Sequence, residues 1–259
     1  MNKVLITGAS SGIGRALARL LAERGVSLVI QGRNVEALGE LLTEIGTKTP
    51  TQVCVADLST FEGTQTLLGV LQKEFPDVVI NCAGFGLYGD LTSHGPQEVQ
   101  QMIAVNNAAV VAVCQHISYW WQKEAVEGTI MNVSSALGCI PSPGAAVYGG
   151  TKAFINSFSE ALDVELQEKG IRVLTACPGR VATKFAARAS KGKVEKLETG
   201  GSVLDPVDVA KAILTQIDEK KPFQVIDWRY RLLLFINRIL PKRFALKRLY
   251  SALKARANS

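Results

Sequence analysis

Histidine is scarce in this sequence. Its 259 residues hold two, His94 and His116, and neither has an acidic or cysteine partner at ligand spacing, so no metal site is expected. The five cysteines, Cys54, Cys82, Cys114, Cys139 and Cys177, are odd in number and include no CxxC pair. That excludes a disulfide-stapled fold and points to small buried thiols in a reducing compartment. No unbroken apolar stretch reaches about 18 residues, the length a spanning helix needs. The opening Val4-Leu5-Ile6 run gives way at once to a Gly/Ser turn, too short for a secretory segment. The 23 glycines follow no three-residue period, which excludes collagen-like structure. Acids are absent from residues 228–259, which carry nine bases. All 23 acids lie in residues 1–227 against 20 bases, so a −3 body carries a +9 tail within the net +6. Such asymmetry marks an interaction feature, here without a nucleic-acid signature.

What is present is globular: 47% apolar and 20% charged residues, enough for a sizeable core in one large domain. Short apolar runs alternate with segments of helical periodicity. Strands are expected at 4–6, 27–31, 52–56, 78–80, 129–133, 171–176 and 223–226. Helices are expected from Ile13 to a stop at Gly25, from an Asn34 N-cap to Ile45, and over 59–75, 96–124, 147–169 and 206–219. Strands apolar throughout and separated by helices predict a doubly wound parallel sheet covered on both faces. Residues 1–227 form this domain, and 228–259 are an appendage.

The turn after the first strand reads Thr7-Gly8-Ala9-Ser10-Ser11-Gly12-Ile13-Gly14. Gly8 permits the tight turn, Gly12 lets backbone approach a pyrophosphate at the positive end of the helix, and Gly14 lets helix and strand pack. Its spacing is GxxxGxG rather than the common GxGxxG, so position as much as pattern argues for a dinucleotide. The end of the second strand carries Gly32-Arg33 where an acid would bind a ribose 2′-hydroxyl. Without that acid, and with a guanidinium beside it, NADP(H) is favoured over NAD(H). Tyr148 and Lys152 stand at i and i+4, on one helix face, where an ammonium is expected to lower the phenol's pKa toward working pH. Ser135, at the C-terminal end of the fifth strand, lies where open parallel sheets bind ligands. Neighbouring Ser134 is expected on the opposite face of that strand.

Taken together, these elements resemble the short-chain dehydrogenase/reductase family over about residues 3–226. The motifs occur in order: Thr7 to Gly14, Asp57-Leu58, Asn81-Cys82-Ala83-Gly84, Asn106, Ser135, Tyr148-x-x-x-Lys152, and Pro178-Gly179-Arg180-Val181-Ala182-Thr183. The resemblance implies a Rossmann-like seven-stranded parallel sheet, assembly as dimers or tetramers, and hydride transfer between a nicotinamide and a carbonyl or alcohol. It implies Gly8, Ser10, Ser11, Gly12, Ile13 and Gly14 as the cofactor turn. Asp57 and Leu58 would lie beside adenine, and Asn81, Ala83 and Gly84 would border the cofactor and steady the sheet. Pro178, Gly179, Val181 and Thr183 would orient the nicotinamide amide. Tyr148 would move the proton, Ser135 would bind the reacting oxygen, Lys152 would hold the ribose, and Asn106 would connect a proton relay. Cys82 replaces the second Asn of the family's Asn-Asn-Ala-Gly element.

Substrate clues lie in loops. Phe85-Gly86-Leu87-Tyr88-Gly89 and Leu137–Val147 are apolar without a charged anchor, so an apolar, lipid-like ketone is expected. Lys184, Arg188, Lys191, Lys193 and Lys196 read as a solvated loop or a mobile lid. In the tail, Trp228, Leu232, Phe235, Ile236, Ile239 and Leu240 fall near helical spacing before Pro241. A second helix would then carry Phe244, Leu246, Leu249, Tyr250 and Leu253. Apolar and basic faces without acids suit an anionic membrane surface, which would make this a cytoplasmic protein peripheral to a membrane. The alternative is that these helices cover the substrate cleft or a subunit interface. Two other functions compete: a dinucleotide-binding scaffold with little turnover, disfavoured by the complete Ser-Asn-Tyr-Lys set, and an NAD-dependent alcohol dehydrogenase, disfavoured by Gly32-Arg33.

Overall fold

In a computed structural model of the chain, residues 1–192 and 203–239 are described. Strands β1 (Lys3–Ile6), β2 (Ser27–Gly32), β3 (Thr51–Val55), β4 (Val78–Asn81), β5 (Gly128–Val133), β6 (Ile171–Cys177) and β7 (Phe223–Val225) form one seven-stranded sheet in the order β3-β2-β1-β4-β5-β6-β7. Every pairing is parallel. The helices are α1 (Gly12–Glu23), α2 (Val35–Ile45), α3 (Phe61–Glu74), α4 (Pro96–Ile103), α5 (Ala109–Lys123), α6 (Ala146–Leu166), α7 (Phe185–Ala189), α8 (Pro206–Asp218) and α9 (Trp228–Ile239).

Alternation along the buried strands divides the core in two. Val4 and Ile6 of β1 join residues of α1, α2 and α8 on one face, whereas Leu5 joins residues of α3, α5 and α6 on the other. The caps match their sequence signals. The Asn34 side chain accepts from Ala37 N at 2.9 Å, and Gly25 after α1 takes φ 71°.

Two segments depart from the expected pattern. The stretch 96–124 is not a uniform α-helix, because α4 and α5 are joined by a π-turn at Ala104–Ala108 that holds Asn106. The rod Pro96–Lys123 has the length and composition to cross a membrane, but 56% of its most apolar window is buried inside the protein. Val113, Ile117 and Trp121 of that rod pack in the same core as Leu5 and Ile130, so it is a core helix. Its polar residues interrupt any apolar run, which is why none stood out in the sequence. The basic segment after Thr183 begins with the short helix α7 rather than a loop; its continuation, with Lys193 and Lys196, lies outside the described residues. The first tail helix is present as α9, whereas Leu240 and the helix expected after Pro241 also lie outside the described residues.

Candidate active site

The sheet's first and fourth strands are neighbours whose connections lead to opposite faces, and the crevice beyond their C-terminal ends is where such a fold binds ligands. A cavity of about 780 Å³ lies there. Two buried polar side chains shape its floor. Thr7 Oγ1 accepts from the backbone N–H groups of Cys82 and Ala83, both at 3.0 Å. Gln31 accepts from Gly8 N at 3.1 Å and donates to Ala56 O at 2.7 Å. The ends of β1, β2, β3 and β4 are thereby fixed to one another.

The glycine turn leaves room that side chains would fill. Gly8 takes φ 69° and Gly12 φ 56°. A Cβ on Gly8 would stand 2.8 Å from Ala83 Cα, and one on Gly12 would stand 3.0 Å from Thr183 Cγ2. A Cβ on Gly14 would strike the Gly8 carbonyl, so Gly14 permits the close packing of turn and helix. Ser10, Ser11 and Ile13 line the same wall with Arg33, Asp57 and Leu58. Arg33 Nη1 lies 3.6 Å from Asp57 Oδ2, both side chains being largely solvent-exposed. Burial works against the Asp57 charge, but hydrogen bonds from Ser59, with Arg33 nearby, hold its pKa below the ordinary value. The turn, the glycine cradle and the cation at the second strand's end fit a dinucleotide.

The other half of the cavity is built on β5, α6 and the segment after β6. Ser135, two residues past β5, is extended, and its Oγ accepts from Leu137 N at 3.2 Å. Ser135 and the Tyr148 phenol line the same half of the cavity. The Tyr148 ring is edge-on to Tyr88, with centroids 6.0 Å apart, and tilted against Phe185 at 5.5 Å. Lys152 is buried on the same helix face and donates Nζ to Val133 O at 2.9 Å.

The electrostatics here differ from the sequence expectation. Burial is the main effect on Tyr148 and pushes its phenol up rather than down, with Tyr88 adding to it and Ser135 opposing it. Burial also lowers Lys152, to about 8, against smaller opposing effects of Cys82 and Cys177. Proximity along a helix brings the two groups to one site, but desolvation, not their mutual charge, sets their pKa values.

Gly84, Pro178, Gly179, Val181 and Thr183 line the cavity, as does Ala83. Two expected residues stand behind it. Asn81 Nδ2 donates to Asn132 Oδ1 at 2.9 Å, joining β4 to β5. Asn106 accepts from Phe85 N at 3.1 Å and donates to Phe85 O at 2.9 Å and Thr151 Oγ1 at 3.1 Å. Ser134, expected on the opposite face, also lines the cavity, and its Oγ donates to Lys152 O at 3.0 Å. Sequence reasoning missed Gln31, Phe185 and Tyr230. Gln31 is a polar residue in an apolar strand, a signal that was available. Tyr230, in the first turn of α9, lines the cavity and covers Gly179, where an added Cβ would lie 2.6 Å from its ring. Nothing in local sequence foretells that contact.

Such a site on such a sheet defines a dinucleotide-binding oxidoreductase. The short chain dehydrogenase family pattern matches residues 2–194, and the chain belongs to that family. An uncharacterized oxidoreductase of Staphylococcus epidermidis is 34% identical over 196 residues, covering 75% of this chain and 84% of the relative. A short-chain dehydrogenase from Sphingobium yanoikuyae, solved with NADPH, superimposes with a TM-score of 0.82 at 26% identity, covering 92% of this chain and 94% of that one. The bulky-bulky ketone specific alcohol dehydrogenase of Comamonas testosteroni gives 0.78 at 27% identity, with 92% of each chain covered.

The depressed Lys152 pKa has a sign that can be checked. A folded value near 8 against an ordinary 10.5 means that its contribution to stability is complete above about 10.5 and is lost as pH falls through about 8. Wild type is expected to gain up to ~3 kcal/mol relative to Lys152→Met across that window in urea unfolding. A wild-type–variant difference that stays flat with pH would refute a buried, titrating Lys152.

Proposed function

We propose that this oxidoreductase is an NADP(H)-dependent carbonyl reductase acting on apolar ketones. The observation that carries the reading is the meeting of Ser135 and Tyr148 at an aromatic-walled end of the cavity, with Lys152 one helical turn on. When bound, the dinucleotide supplies the hydride. Tyr148, its phenol held protonated by burial, donates the proton to the carbonyl oxygen. Ser135 donates a hydrogen bond to the same oxygen as charge develops there, an interaction strongest in the transition state. Lys152 holds the cofactor ribose. Asn106, bonded to Thr151 and to the Phe85 backbone, keeps the path from Lys152 toward solvent in register. Phe85, Leu87, Tyr88, Leu137 and Phe185 give the carbonyl an apolar surround, and the Comamonas enzyme, named for bulky ketones, has the same fold.

Arg33 supports the cofactor preference. It stands on the cavity wall with no acid of its own strand beside it, and its contact with Asp57 is long and solvent-exposed, so the guanidinium is available to a 2′-phosphate. The Sphingobium relative was solved with NADPH. A homo-oligomer is proposed as well: Tyr119, Phe154 and Val164 expose large apolar side chains on α5 and α6. The five cysteines, all free, suit the cytoplasm.

The tail is proposed to hold the enzyme on an anionic membrane. Along α9, Trp228, Leu232, Leu233, Phe235 and Ile236 are exposed, and residues 228–259 carry nine bases and no acid. Each base near an anionic surface adds about 1 kcal/mol. Tyr230 in the cavity wall would place the cleft near that surface, where a lipid-like ketone arrives.

Tyr148→Phe keeps the ring and loses the acid. NADPH binding is expected to hold, while ketone reduction falls by ~10² or more; near wild-type turnover would remove Tyr148 from the mechanism. Arg33→Ala is expected to weaken NADPH binding by about 1.5–3 kcal/mol and to change NADH binding little. Equal losses for the two cofactors would show that Arg33 does not read the 2′-phosphate. The full chain should sediment with anionic vesicles at low salt and release as salt rises. A chain ending at Ile239 keeps Tyr230 but loses six of the nine bases, and it should bind more weakly. If the full chain ignores anionic vesicles at low ionic strength, the membrane reading is wrong.

A further inference from the structure

Three site-bearing segments meet behind the cavity at one amide. Asn156, one helical turn after Lys152 on α6, donates Nδ2 to Cys139 Sγ at 3.6 Å and accepts from the Cys177 thiol at 3.5 Å. Both sulfurs are therefore held by one side-chain amide. Cys139 closes the short 3₁₀ turn Ala136–Gly138 that follows Ser135. Cys177 is the last residue of β6, directly before Pro178. Neither lines the cavity, and nothing in the reduction of a ketone uses them.

The pair is asymmetric in the way a reactive dithiol requires. Cys139 is partly exposed, whereas Cys177 is fully buried. The neighbouring Cys177, and the Asn156 N–H bonded to the Cys139 sulfur, hold the Cys139 thiol below its ordinary pKa against the effect of burial. Cys177 is pushed up, by Cys139 and by burial. Burial also raises Cys54, Cys82 and Cys114, the latter two to about 12, so those thiols stay protonated and inert.

We propose that Cys139 and Cys177 form a peroxide-reactive dithiol that closes to a disulfide and slows the enzyme. The Cys139 thiolate attacks one peroxide oxygen. An S–O bond forms, the O–O bond breaks, and the departing oxygen leaves as water after taking a proton. Cys177 then attacks the Cys139 sulfur of that sulfenic acid. The S–S bond forms, and the hydroxyl leaves with the Cys177 proton as a second water. Two electrons pass from the two thiols to the peroxide.

The consequence for turnover rests on the proposed roles of Ser135 and Tyr148. An S–S bond of about 2.05 Å requires both sulfurs to leave the Asn156 amide and close on each other. The turn carrying Cys139 has no slack, because a Cβ on Gly138 would already stand 2.6 Å from the Lys152 carbonyl carbon. Drawing Cys139 toward β6 therefore shifts the Ser135 turn against α6, while the glycine turn that cradles the dinucleotide is untouched.

The test uses the full chain, reduced and freed of reductant, then exposed to hydrogen peroxide. Peptide mass spectrometry should find Cys139 joined to Cys177 with the loss of two hydrogens. NADPH binding should change by less than about twofold, and ketone turnover should fall by roughly tenfold or more, recovering with dithiothreitol. Cys139→Ser should keep its basal turnover and resist peroxide. Cys139 oxidised to a sulfinic acid beside a free Cys177, or no reaction at either thiol, would overturn the dithiol. A crosslinked enzyme with undiminished turnover would overturn its coupling to the site. If the reduced enzyme reduces no ketone, the functional reading fails, and the peptide map still decides the dithiol.

Discussion

The site depends on two buried side chains that tie four strand ends into one piece. Thr7 accepts from consecutive backbone N–H groups just beyond β4, and Gln31 bridges the glycine turn to the end of β3. Backbone bonds complete the tie, Thr7 N to Ile80 O at 3.0 Å and Ala9 N to Gln31 O at 2.9 Å. Parallel strands converging on a crevice expose their last N–H and C=O groups, and such groups are costly when buried unpaired. Satisfying them with two side chains, rather than with water, gives the turn a fixed position against which a dinucleotide can be held. Glycine at 8 and 14 is then required because backbone approaches too closely for a Cβ atom, and glycine at 12 suits a φ of 56°.

The half of the cavity that holds Tyr148 and Lys152 is fixed in a comparable way, through the first turns of α6. Ser134 Oγ donates to the Lys152 carbonyl, Asn107 Nδ2 donates to the Thr151 carbonyl at 2.9 Å, and Asn106 reaches Thr151 Oγ1. The π-turn at Ala104–Ala108 makes this possible, since Asn106 and Asn107, both inside it, are buried toward α6 and the segment after β4. Rigid seating has an electrostatic cost. Tyr148 and Lys152 are both withdrawn from water, and each moves toward its neutral form. A neutral phenol suits proton donation in reduction, and a lysine poised near 8 responds to whatever charge enters the cavity.

The aromatic wall of the cavity is assembled from parts distant in sequence. Tyr88 follows β4, Tyr148 opens α6 and Phe185 opens α7, yet their rings are in mutual contact. Tyr230 adds a contribution from the basic tail. The division at residue 227 between body and appendage is therefore a division of composition, while α9 shares in the cavity.

Much of this architecture was legible from residue order. Strand runs apolar on both faces, the Asn34 cap, the glycine turn and the Tyr148–Lys152 spacing are local patterns whose physical meaning is set by chain geometry. They place the sheet, its helices and the core of the site without reference to distant residues. Only tertiary structure decided the rest. The π-turn at Asn106 comes from one long helix having to serve two contacts. The raised phenol and lowered lysine come from burial, which spacing along a helix does not reveal. Gln31, Phe185 and Tyr230 enter the site, and Cys139 and Cys177 share the Asn156 amide, through contacts between residues remote in the chain. The physical reason is range: hydrogen-bonded periodicity and steric freedom act over a few residues, whereas desolvation and side-chain contact depend on which segments the completed sheet brings together.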